Sequence, residues 1–243
     1  MTGGRIIVVP DLAALVETAT KRIAARIEQS EGRITICLTG GSTPKPIYER
    51  LAAEPYLSKL PWNRIHWFWG DERFVTLEDS RSNAGMTLRA LLSQVPVPFA
   101  NVHPIPTGAA SPDEAAHIYE LALKRHYGRE SLDPARPLFD LVLLGLGSDG
   151  HTASLFPGDP ALEEGVKWAV GVQRAGLAPF VPRVTLTFPT LSSTRELLFL
   201  VSGEEKREVL ARVLASEQLP ASRAHSAGAL VWLVDQVAAS DGL

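Results

Sequence analysis

The chain of 243 residues has one cysteine, two methionines, no block of consecutive basic residues and a net charge of only −3. A single cysteine excludes any disulfide framework within the chain. Its place in the apolar run "RITICL" makes Cys37 a buried thiol. With neither basic patch nor charge excess, nucleic acid and anionic membrane surfaces are excluded as main partners, so any anion site must be local. Nothing approaches the ~18 apolar residues of a membrane-spanning helix. The opening "MTGGRIIVVPDL" has one arginine and a short apolar run stopped by Pro10, too little for a signal peptide. Paired cysteines and H-E-x-x-H are missing and the six histidines are scattered, so the sequence supports no zinc site. A soluble protein of a reducing compartment is expected, without metal or membrane.

What is present is alternation. Short β-branched or aromatic runs ("RIIVV", "RITICL", "RIHWFW", "FDLVLLGL", "VKWAVGV", "RVTLTF", "ELLFLV", "ALVWLV") are separated by segments of helical period. That pattern predicts an α/β fold, a mainly parallel sheet flanked by helices on both faces. No repeat or composition change divides residues 1–243, so one domain is expected. In "SPDEAAHIYELALKRHYG", Ser111 caps, Pro112 fits the first turn, Glu114 completes a capping box and Gly128 ends the helix. "SGEEKREVLARVL" predicts the same device with Ser202 and Glu205.

Gly145-Leu-Gly147-Ser-Asp-Gly150 spells the dinucleotide fingerprint G-x-G-x-x-G, but its context fails. A true fingerprint places its last glycine in a long helix packed on the preceding strand. Here Pro157, Gly158 and Pro160 come within ten residues, and the match falls near the fourth strand instead of the first. NAD is therefore not expected. The glycines instead turn the backbone at the carboxyl end of a central strand, delivering His151 to the rim where α/β proteins bind ligands.

Two more segments reach that rim. In "RITICLTGGSTPKPIYERLA", a strand meets Thr39-Gly40-Gly41-Ser42-Thr43 and then a helix opened by Pro44, an arrangement that presents backbone N–H groups to a phosphate or carboxylate. It is not a P-loop, since G-x-x-x-x-G-K-[ST] is absent. In "HWFWGDERFV", an aromatic strand stops at Gly70 and Asp71, Glu72 and Arg73 come next, and an arginine there can clamp phosphate through its planar fork. Lys206 sits in a first helical turn, where the macrodipole disfavours a cation unless an anion is near.

Together "LTGGSTP", "GDERFV", "RSNAGM", "NVHPI", "LLGLGSDGHTASLFPG", "PRVTLT", "SGEEKREV" and "VWLVD" resemble the 6-phosphogluconolactonase family along the whole chain. The resemblance implies a Rossmann-like α/β domain. It also implies hydrolysis of 6-phosphogluconolactone to 6-phosphogluconate in the oxidative pentose phosphate pathway, without metal or cofactor. It casts His151 as the base and Asp149 as its support. The loop Gly40-Gly41-Ser42-Thr43, Arg73 and Lys206 would hold the phosphate, with Asp71 and Arg183 as further substrate contacts. A cytoplasmic monomer is expected, working beside glucose-6-phosphate dehydrogenase. Departures are Thr39 where serine is usual and Ala84 where an aromatic is common. A glucosamine-6-phosphate deaminase-like isomerase is the rival on this fold, but its carboxylate after D-G-H is replaced here by Thr152-Ala-Ser. A non-catalytic sugar-phosphate sensor would be expected to carry a DNA-binding module, for which no segment is seen.

The chemistry is consistent with the residues themselves. A lactone carbonyl accepts water once a base removes the proton, and neutral imidazole, with an ordinary pKa near 6.5, suits that role. No covalent nucleophile is needed, and the lipase-type G-x-S-x-G is absent because Leu146 stands where its first glycine belongs.

Overall fold

Each apolar run becomes a strand, though not all in one sheet. The computed structural model describes residues 4–239. The chain passes through β1 (Arg5–Val9), α1 (Leu12–Gln29), β2 (Ile34–Leu38), α2 (Pro44–Leu51), the one-turn α3 (Tyr56–Lys59), β3 (Ile65–Trp69), β4 (Asp71–Arg73) and α4 (Asn83–Thr87). It continues through α5 (Pro112–Tyr127), β5 (Leu141–Gly145), β6 (Ala169–Val172), β7 (Arg183–Leu186), α6 (Phe188–Ser192), β8 (Glu196–Val201), α7 (Arg207–Leu214) and β9 (Ala229–Asp235).

Six strands form a wholly parallel sheet in the order β1-β9-β8-β5-β2-β3. The interior strands β2 and β8 are buried at every residue, which is why their sequences are mostly apolar instead of alternating; the exceptions are Thr35 and Glu196, the latter paired with Arg22 and Arg26. Phe199 and Trp232 stack across β8 and β9 with ring centroids 3.8 Å apart, and Trp67, Phe68 and Trp69 of β3 are fully buried. Each such side chain contributes roughly 1.5–3 kcal/mol by leaving water. From β2 the chain moves outward to β3, then returns to the other side of β2 as β5. Strand order therefore reverses between β2 and β5, and the crevice beyond their carboxyl ends is the place where open α/β sheets hold ligands.

The runs "VKWAVGV" and "RVTLTF" do not join this sheet. As β6 and β7 they pair antiparallel with each other and with β4, in the order β4-β7-β6. Gly70 is the joint between the sheets: its N–H donates to the Leu38 carbonyl of β2 and its own carbonyl accepts from the Leu186 N–H of β7.

Helix α5 begins and ends as its sequence predicts, with Ser111 Oγ accepting the Glu114 N–H and Gly128 in the left-handed region at φ 79°. The Glu114 carboxylate reaches the Ala110 N–H, one residue earlier than a capping box requires. The second predicted cap is not formed. Ser202 donates its hydroxyl to Asp235, and Gly203 opens a 3-10 turn over Glu204–Lys206 that leads into α7. The hydroxyl is turned toward the carboxylate at the end of β9, and among the described residues no helix N–H reaches it.

Candidate active site

The turn after β5 is built around His151. Gly147 donates its N–H to the His151 carbonyl at 2.8 Å, Gly150 donates to the Gly147 carbonyl at 3.0 Å, and Gly150 itself is left-handed at φ 85°. A Cβ on Gly147 would lie 2.0 Å from Nδ1 of His151, so only glycine lets the ring pack there. Beyond Gly150 the chain makes a Thr152–Leu155 bridge instead of a helix, with Thr152 Oγ1 donating to the Gly145 carbonyl. These glycines therefore do not lead into the helix that a dinucleotide fingerprint needs.

Asp149 fixes the imidazole. Its Oδ1 lies 2.5 Å from Nδ1 of His151 and also accepts the His151 backbone N–H at 3.1 Å. Burial opposes ionisation of Asp149, but the hydrogen bond and charge of His151 outweigh it and hold the carboxyl below its ordinary value of 3.8. An ionised carboxylate can only accept, so Nδ1 carries the proton and Nε2, across the ring, is left with a lone pair. Phe156 backs the ring at 4.6 Å between centroids.

The glycine loop faces this histidine across the β2/β5 crevice. The Tyr48 hydroxyl, from α2, accepts the Thr39 N–H and donates to the Thr39 carbonyl, pinning the chain just before the loop. A Cβ on Gly40 would fall 1.8 Å from Oδ1 of Asn83, and Gly41 is at φ 117°. The two glycines are thus required for different reasons, one by a close neighbour and one by its backbone angle. Pro44 opens α2 at its first turn as the sequence predicts.

The cations come from both sheets. Arg73 of β4 and Arg183 of β7 are direct partners in the antiparallel register, and both line the same cleft. Arg73 donates to the Arg81 carbonyl, while Arg183, almost fully buried, donates to the carbonyls of Pro179 and Val181. Burial lowers the Arg183 pKa from its ordinary value and Arg73 adds to this, against the opposing charges of Asp71 and Glu72. Lys206 arrives from the turn before α7. That turn is tied to the end of β9, because Asp235 accepts from the Ser202 hydroxyl and the Gly203 N–H.

These residues enclose a cleft of about 240 Å³ lined by Thr39, Gly40, Gly41, Asp71, Arg73, Asn83, Gly147, His151, Arg183 and Lys206, among others. Ser42 and Thr43 do not line it. They border an adjoining hollow of about 130 Å³, which shares Gly40, Gly41 and Lys206 with the cleft. Asp71 is committed to neighbours, accepting from the buried Ser154 hydroxyl at 2.6 Å and from Asn83 Nδ2. Glu72 turns inward, where it accepts the N–H groups of Arg73, Asn83 and Ala84 and the Ser82 hydroxyl. It anchors the start of α4, and burial raises its pKa against those donors.

Asn83, Ser154 and Asp235 support the site without being recognisable as site residues in the sequence, although "RSNAGM", "HTAS" and "VWLVD" contain them. The scattered histidines also converge in part. His66, His103 and His126 place ring nitrogens within 4.8 Å of one another.

The sequence pattern of the family described as glucosamine-6-phosphate isomerases/6-phosphogluconolactonase matches residues 10–232. A 6-phosphogluconolactonase of Synechocystis is 44% identical over 229 residues, covering 93% of this chain and 90% of its own. The crystal structure of 6-phosphogluconolactonase from Thermotoga maritima superposes with a TM-score of 0.83 at 33% identity, over 96% of this chain and 100% of that one. The enzyme from Trypanosoma brucei gives a TM-score of 0.84 at 31% identity, over 97% of both chains.

Proposed function

Because the chain belongs to the glucosamine-6-phosphate isomerase/6-phosphogluconolactonase family, we propose that its cleft hydrolyses 6-phosphogluconolactone with His151 as general base. The observation that carries this reading is a carboxylate-oriented imidazole sharing one cleft with three cations and a glycine loop. In the proposed reaction, the lone pair on Nε2 takes a proton from water as its oxygen attacks the lactone carbonyl carbon. The tetrahedral intermediate collapses by breaking the bond to the ring oxygen, which receives the proton from the imidazolium. Asp149 stabilises that imidazolium and keeps the ring in one tautomer. The substrate phosphate is placed against Arg73, Arg183 and Lys206, where charge-assisted hydrogen bonds are strongest. Gly40 and Gly41 contribute only backbone to the wall, so the chain can approach the ligand closely.

A deaminase-type reading is disfavoured by the same geometry. The residues after His151 are Thr152, Ala153 and Ser154, and the cleft's one carboxylate on that side, Asp71, is held by Ser154 and Asn83. We take the protein to act in the cytoplasm on lactone supplied by glucose-6-phosphate dehydrogenase. The buried free thiol of Cys37 suits a reducing compartment. The test generates the lactone in situ with the dehydrogenase and measures proton release, with spontaneous hydrolysis subtracted. No rate above the spontaneous one would refute the proposal.

A further inference from the structure

The motif "NVHPI" plays no part in the cleft, and its histidine leads to a second constellation. His66 is the second residue of β3, His103 comes after the 3-10 turn Phe99–Asn101, and His126 lies in the last turn of α5. The first of these positions is at the amino end of an edge strand, whereas the cleft lies beyond the carboxyl ends. Each histidine stands on backbone held by other elements: the His103 N–H donates to the Trp67 carbonyl, Val102 bridges Trp67, and α5 packs on β6 and β7. All three side chains are half-buried.

From this arrangement we infer that His66, His103 and His126 form a binding site for a borderline divalent cation, Zn²⁺ foremost, separate from the catalytic cleft. Nitrogen and no other donor type defines the ligand set, which suits zinc and its neighbours in the first transition row and not calcium or magnesium. Zinc–nitrogen bonds of about 2.0–2.1 Å at tetrahedral angles set ligand nitrogens roughly 3.4 Å apart. His66 Nδ1 and His103 Nε2 are 3.0 Å apart, and no pair in the trio exceeds 4.8 Å. These separations depart from that value by at most about 1.4 Å, and water completes the fourth position.

The surroundings hold the rings for this. Phe68 stacks on His103 at 4.4 Å between centroids and meets His126 edge-on at 4.8 Å. The Thr35 hydroxyl, 2.9 Å from His126 Nε2, holds the third ring in place. One group opposes a cation. Arg33 donates to the His126 carbonyl at 2.8 Å and brings its positive charge to the cluster. The site is therefore one of moderate affinity, and Arg33 is its brake.

The test is calorimetric titration of the metal-free full chain with Zn²⁺, repeated on His103→Gln, His66→Gln, His117→Gln, His151→Asn and Arg33→Gln. Wild type is expected to take up one equivalent at this site with micromolar affinity. His103→Gln and His66→Gln should each weaken that uptake at least tenfold, while His117→Gln and His151→Asn retain it and Arg33→Gln strengthens it. Circular dichroism establishes that each variant is folded. As a check independent of calorimetry, saturating Zn²⁺ should raise the melting temperature of wild type and not that of folded His103→Gln. Zinc uptake that is unchanged in both His103→Gln and His66→Gln, or that disappears in His151→Asn, would overturn the assignment. So would the absence of any uptake by wild type.

Discussion

Arg73 and Arg183 stand directly opposite each other in the register of β4 and β7, two like charges at a position where cross-strand neighbours normally attract. An anion between them removes the conflict. Inorganic phosphate is therefore expected to raise the melting temperature of the wild type, and to do so less in Lys206→Ala, which lacks the third cation of the cleft. Equal shifts in both proteins would mean that the phosphate sits elsewhere.

The kinetic counterpart uses Lys206, whose removal disturbs less of the fold than that of either arginine, since both arginines also hold backbone carbonyls. Lys206→Ala deletes a charge-assisted contact worth about 1.5–3 kcal/mol, or roughly ten- to a hundredfold in kcat/KM for the phosphorylated lactone. Unphosphorylated gluconolactone should hardly respond. Equal losses on both substrates would remove Lys206 from the phosphate site.

His151→Asn keeps a polar side chain of similar reach but no titratable nitrogen, and turnover should fall by about 10²- to 10⁴-fold with folding preserved. Asp149 is held below its ordinary value, so its charge is present above that range and lost only as pH falls through the lower folded value. Asp149 is therefore ionised above its ordinary value and contributes no limb to the activity profile near neutrality. Any acid limb seen in the wild type after correction for spontaneous hydrolysis should vanish in His151→Asn. A limb that survives the substitution belongs to a different base.

Gly147→Ala tests the turn without replacing a reacting group. The new methyl would occupy the space of the imidazole, so activity should fall to near that of His151→Asn, while circular dichroism stays native. A variant with more than about a tenth of wild-type activity would show that the ring is free to move aside, since general-base losses are usually larger.

Cys37 is the fourth of the five residues of β2, fully buried, and burial with the charge of Asp71 pushes its thiol well above the ordinary range. An aromatic disulfide reagent at pH 8 should leave the native protein unmodified and react stoichiometrically once denaturant unfolds it. Rapid reaction of the native form would reveal opening of the central sheet.

Much of this was legible in the chain because the signals were local. Ser111 and Gly128 bound α5 by chemistry contained in a few residues, and His151 with Asp149 forms a contact two positions apart. What was not legible depends on distant partners. Ser202 carries a good capping side chain, yet Asp235, thirty-three residues on, takes its hydroxyl. The runs of β6 and β7 read like sheet strands, but nothing in them announces the three-residue β4 that draws them into a second sheet. Asn83 matters through its contact with Gly40, and the three converging histidines are spread over sixty residues.

The pairing of β1 with β9 joins Arg5 to Val231. β1 thus waits for a strand made more than two hundred residues later, and among the described residues it has no other neighbour in the sheet. At ~5–20 residues per second, translation leaves it without its partner for about 10–45 s. During that interval its backbone N–H and C=O groups are open to any other strand, including the same segment of a neighbouring nascent chain. The emergence of residues 229–235 covers the side of β1 that β9 takes, while its other side stays at the edge of the sheet.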